Sequence, residues 1–113
     1  MPGTGEYVAN YFKEKKAQGN SILTVTQNII IENGTGQDGN AHDVIDVLVI
    51  GKEDIYIVKT QDTFSMNGSL REANEPLKMF FTQAESYVKK NIDVQNKRVK
   101  RLFVTDELSF IFF

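Results

Sequence analysis

The stretch DVIDVLVIGKEDIYIVKTQ (residues 43–61) holds two apolar runs, one on each side of Gly51-Lys52-Glu53. β-Branched residues dominate both runs, and the short glycine-containing turn between them predicts an antiparallel hairpin over 43–50 and 54–61. Both runs are too apolar to leave one face in water, so they are expected to be central strands covered on both sides. Asp43 and Asp46 open the first run and Lys59 stands near the end of the second. Charges in so apolar a setting are either solvated strand ends or parts of a site.

Upstream, ILTVTQNIII (22–31) predicts another strand, closed by ENGTGQDGN, whose turn formers predict a long hairpin tip. Earlier still, EYVANYFKEKKA (6–17) places Tyr7, Val8, Tyr11 and Phe12 on one helical stripe, with Gly19 as a stop. Downstream, residues 62–75 read as a loop, and Pro76 suits the first turn of a helix, where its missing N–H costs nothing. Leu77, Phe80, Phe81, Ala84, Tyr87 and Val88 then recur at helical spacing as far as Lys89, Lys90 and Asn91, the clearest periodicity in the chain. A basic connection, QNKRVKR, leads to two short strands, RLFVT and LSFIFF. The order is α-β-β-β-α-β-β, a mixed central sheet flanked by helices, of the α/β or α+β kind.

With 113 residues, 41% of them hydrophobic, the chain is expected to form a single domain over 1–113. The ending SFIFF is so apolar that it must pair, lie in an interface such as a homodimer, or be covered by further chain if this is a fragment. A net charge of −2 gives no global basic field, so a nucleic-acid site would have to be a local patch. Absence of cysteine excludes disulfides, a thiol nucleophile and thiolate metal sites, and fits a reducing, intracellular (cytoplasmic or nuclear) setting. No apolar run approaches the length of a membrane span, and the N-terminus lacks the pattern of a signal peptide. Asn33-Gly-Thr35 and Asn67-Gly-Ser69 read as glycine turns rather than glycosylation sites.

The order of helix, three-strand meander, helix and strand resembles the core of the PD-(D/E)XK nuclease superfamily, the restriction-endonuclease-like fold, over residues 6–113. In that family an Asp opens the second strand, a (D/E)xK tripeptide ends the third, and a Glu often comes from the first helix. Asp46, or Asp43, stands at the first position, Ile57-Val58-Lys59 at the second and Glu6 at the third. Lys59-Thr60-Gln61 and Gln83-Ala-Glu-Ser-Tyr87 are similar to the extended motif and the QxxxY element of the RecB-like branch. The resemblance implies hydrolysis of nucleic-acid phosphodiesters, DNA in preference to RNA, with Mg²⁺ or Mn²⁺ held by Asp46. It further implies that Lys59 supports the charge of the transition state and that Gln61, Gln83 and Tyr87 position the strand.

Ile57 departs from the pattern, because an alkyl side chain cannot bind a metal. Either the acid has moved, with Glu85, Glu75 or Asp62 as donors, or the domain is degenerate and binds without cutting. The plainer readings stay open beside these. Lys59 can snorkel, Asp43 and Asp46 can gate a strand edge, and Glu6 can simply favour a helix N-terminus. Tyr87 can pack in the core, Gln83 can bond a sheet edge, and the single histidine, His42, reads as a loop residue. Lys97, Arg98, Lys100 and Arg101 form the one concentrated basic stretch and would suit phosphate contacts. The rival from another class is a catalytically inactive protein-interaction module, whether subunit, immunity protein or effector fragment, built on the same scaffold.

Overall fold

A computed structural model describes residues 3–19, 21–32, 42–64, 69–94 and 96–113. Its elements are α1 (Thr4–Ala17), β1 (Ile22–Glu32), β2 (His42–Gly51), β3 (Asp54–Thr60), α2 (Leu70–Asn91), β4 (Arg98–Val104) and β5 (Phe110–Phe112). They form an α+β domain with a five-strand mixed sheet and two helices, the element order that the sequence predicts. The strands lie in the order β1-β2-β3-β4-β5. β1, β2 and β3 form an antiparallel meander, α2 carries the chain over so that β4 pairs parallel to β3, and β5 turns back antiparallel.

β2 and β3 are covered on both faces, as their composition demands. On one face Val47, Val49 and Val58 pack with Val8, Ala9 and Phe12 of α1. On the other, Leu48, Ile55 and Ile57 pack with Leu77, Phe81 and Ala84 of α2. The alternation slips once. Ile45 belongs to the α2-side core and Val47 to the α1-side core, although residues two apart in a strand should share a face. The kink falls at Asp46, opposite Asn28, which takes a left-handed φ of 58°. It leaves the Cβ of Asp46 beside Gly5 of α1, 3.8 Å from where a Cβ on that glycine would stand.

Several expectations need correction. α2 begins at Leu70, six residues before Pro76, so this proline lies inside the helix. The start is fixed by Ser69, whose hydroxyl accepts from the Glu72 amide at 3.4 Å, in the serine-to-glutamate spacing of a capping box. The basic segment is not a connection: Arg98, Lys100 and Arg101 lie on β4, in register with Asp54, Tyr56 and Ile57. Of the apolar stripe expected on α1 only Val8 and Phe12 are buried, joined by Ala9, whereas Tyr7 and Tyr11 remain exposed. His42 is the first residue of β2 rather than a loop residue. The glycine-rich tip between β1 and β2 and the sequon asparagines lie outside the described residues.

Candidate functional site

The charged residues of the opening hairpin meet where β3 stops, and Asp46 stands there in the middle of β2 rather than at its start, because the strand begins at His42. Asp46 is 3% exposed, and its carboxylate is surrounded by donors. Oδ2 accepts from the Thr60 amide at 2.7 Å and from the Thr60 hydroxyl at 3.2 Å. The Thr63 hydroxyl lies 2.7 Å from Oδ2 and 2.9 Å from Oδ1. Burial pushes the Asp46 carboxyl above the ordinary carboxylate range, opposed by these hydrogen bonds and by the nearby Lys59 charge. The donors come from the last residue of β3 and from the turn after it, where Thr63 N–H donates to Thr60 O at 3.3 Å.

Lys59 is 2% exposed. Its Nζ donates to Val44 O at 3.0 Å and lies 4.8 Å from the centre of the Phe80 ring on α2. The lysine head therefore sits on the α2 side of the sheet end, and the Asp46 carboxylate sits on the α1 side. The two are near enough for the ammonium to stabilise the carboxylate. Ile57 is fully buried in the α2-side core. Next to this cluster, Asp62 Oδ2 accepts from the Gly5 amide at 3.1 Å and so caps α1 from a distant loop.

The remaining predicted residues are dispersed. Glu6 is exposed on the first turn of α1. Asp43 lies in β2, and its side chain is outside the described part of the structure. Glu85 bonds Arg101 Nε at 2.9 Å and lies 3.7 Å from Lys89, and the Arg101 hydrogen bond holds its carboxyl below the usual range. Gln61 accepts from the Asp106 amide at 3.0 Å, which ties the end of β3 to the β4–β5 turn. Gln83 has its Oε1 buried with no partner among the described residues. Tyr87 packs partly buried against the α2-side core. Glu75 is exposed on α2.

The described side chains, which do not include that of Asp43, do not by themselves fit a Mg²⁺ ion. One carboxylate, already engaged by three donors, is a poor ligand set for a hard cation that wants several free oxygens. No group of three or more His, Asp or Glu stands together among the described residues. The basic residues of β4 are likewise engaged: Arg98 bonds Asp54 at 2.9 Å, Lys100 lies 3.9 Å from the same carboxylate, and Arg101 holds Glu85. Sequence reasoning missed Thr60 and Thr63. Their spacing across a strand end and turn was the available signal.

No family model matches the chain, and no curated protein or solved structure is similar enough to match it. No helix among the described residues is long and apolar enough to cross a membrane.

Proposed function

We propose that the chain is a restriction-endonuclease-like domain that binds a partner and does not cleave, the site between the middle of β2 and the end of β3 having become a structural polar cluster. The meander, the α2 crossover and the parallel β3–β4 pair support the scaffold. The observation that carries the loss of catalysis is the Asp46 carboxylate, buried and engaged by Thr60 and Thr63 on the α1 side, while the position where the resemblance requires an acid is Ile57, buried in the α2-side core. The nuclease reading has in its favour that Asp46 and Lys59 are neighbours at the end of this hairpin.

Calorimetric titration with Mn²⁺ and Mg²⁺, with plasmid cleavage on the same samples, separates the two. The expected result is no saturable heat and no cleavage, in the wild type and in Asp46→Asn alike. Saturable binding with cleavage in the wild type, both lost in Asp46→Asn, would restore the nuclease reading.

A further inference from the structure

β5 is an edge strand with one side unpaired. The Thr105 amide donates to Ser109 O and the Phe113 amide to Arg101 O, each at 3.0 Å. These two bonds set the phase of the ladder. Residues 109, 111 and 113 turn their polar backbone groups toward β4, so the N–H and C=O of Phe110 and Phe112 point outward. Among the described residues none of these outward groups has a backbone partner.

The side chains beside this edge are apolar on both faces. Phe110 meets Tyr11 of α1 edge-on at 6.2 Å, and Phe112 is 62% exposed. On the α2 side a groove of about 550 Å³ runs between β5 and the first turns of α2, lined by Arg71, Asn74, Lys78, Ile111, Phe112 and Phe113. Arg71 and Lys78 stand seven residues apart on one helix face, and neither forms an ion pair among the described residues.

We infer that this edge binds an extended acidic peptide segment of a partner protein, added as a sixth strand beside β5. Its backbone would take up the outward groups of Phe110 and Phe112. Because strand side chains alternate, acids on every second residue would fall on the α2 side, against Arg71 and Lys78, and apolar residues between them would pack beside Phe110 and Phe112. Charge decides against a second copy of this chain, since two-fold pairing of β5 with itself brings Arg71 and Lys78 against their own equivalents. A single-stranded nucleic acid could use the cations and the rings but offers no ladder to the strand backbone. The inference rests on the binding reading above and names the partner's chemistry.

The test uses a fluorescent peptide alternating glutamate with valine, its lysine-for-glutamate counterpart, and a labelled oligothymidine, each titrated against the full chain by anisotropy. Binding of the acidic peptide alone is expected, weakened by added salt. Arg71→Ser combined with Lys78→Ser, both on an exposed helix face, should weaken it about tenfold. Phe112→Pro removes an outward amide without touching the β4 ladder and should abolish binding while thermal melting stays close to wild type. Failure of the wild type to bind the acidic peptide, or equal binding by both variants, overturns the inference. So does preferential binding of the oligothymidine, or self-association in sedimentation that the Phe112→Pro change removes. Absence of peptide binding together with absence of cleavage sinks this inference and leaves the non-catalytic reading standing.

Discussion

Replacing Asp46 by alanine tests whether the carboxylate holds the fold together or is kept for chemistry. The Thr60 amide loses its acceptor in a buried place, which costs about 1–3 kcal/mol. Thr60 and Thr63 lose a charged acceptor for their hydroxyls, although the more exposed Thr63 can turn to water. Lys59 loses the neighbouring anion while staying buried. Against this stands the removal of a desolvated carboxyl, the same burial that raises its pKa. The balance is a loss of about 3 kcal/mol. For a chain of 113 residues this lowers Tm by about 12 °C, at about 4 °C per kcal/mol. Scanning calorimetry near pH 7 measures it, with Asp46→Asn alongside. The asparagine oxygen can still accept from Thr60, so that variant should fall by only about 4 °C. The sign of the pH effect follows from the raised pKa. Stability contributed by the Asp46 proton is fully present below the unfolded pKa and lost as pH rises through the folded one. The gap between wild type and Asp46→Asn should therefore narrow from acid toward neutral pH. A Tm for Asp46→Ala equal to or above wild type would refute the structural role, because side chains held for function at a cost to stability behave that way.

Ile57→Glu restores the acid of the motif on paper, but the site is a closed core beside Phe81 and Leu77. The variant should lose about 4 kcal/mol or more and show no Mg²⁺ binding, by circular dichroism and calorimetry; a folded variant that binds Mg²⁺ would show the pocket to be open. Glu85→Gln should be less stable than wild type at neutral pH. Arg101 lowers the Glu85 pKa, so its contribution is present above the unfolded pKa and is lost as pH falls through the folded one. Urea midpoints of the two proteins should converge in acid, and a gap that widens there contradicts the pairing. Asp62→Ala removes the oxygen that the Gly5 amide uses and should cost about 1 kcal/mol, with faster hydrogen exchange in the first turn of α1. Unchanged exchange there would mean that the helix start does not depend on this loop.

Much of the scaffold was legible because burial writes a period into the sequence. Val47, Val49 and Val58 against Leu48, Ile55 and Ile57 announce strands with two dry faces, and Leu77 to Val88 announce a helix with one. The start of α2 was misplaced although Ser69 and Glu72 stood in capping spacing, because Pro76 offered an equally good local signal. Only tertiary packing, including buried Ala73 one turn earlier, decides between them. β4 was cut short for a different reason. Arg98, Lys100 and Arg101 look like a solvated connection, yet in β4, between β3 and β5, they find Asp54 and Glu85, partners far away in sequence. The side on which Asp46 falls was not legible at all, since it depends on a kink opposite Asn28 that no alternation rule anticipates.

That kink bears directly on function. A hairpin with an aspartate at one strand start and a lysine at the other strand's end looks the same in sequence whether it holds a metal or holds itself. What separates the two is the direction of each head group and the number of lone pairs left free. A carboxylate offers about four acceptor positions. The Thr60 amide, the Thr60 hydroxyl and the Thr63 hydroxyl take three of them. Lys59 meanwhile aims its charge at the Val44 carbonyl and the Phe80 face, on the other side of the sheet end. An ion entering here would have to displace Thr63, share Asp46 with Thr60, and find no second carboxylate at position 57. Each adjustment works against the others, because freeing Thr63 loosens the turn that carries Asp62 to the start of α1. The cluster joins β2, β3 and α1 in one set of contacts, and occupancy by a metal would weaken the contacts that give it shape.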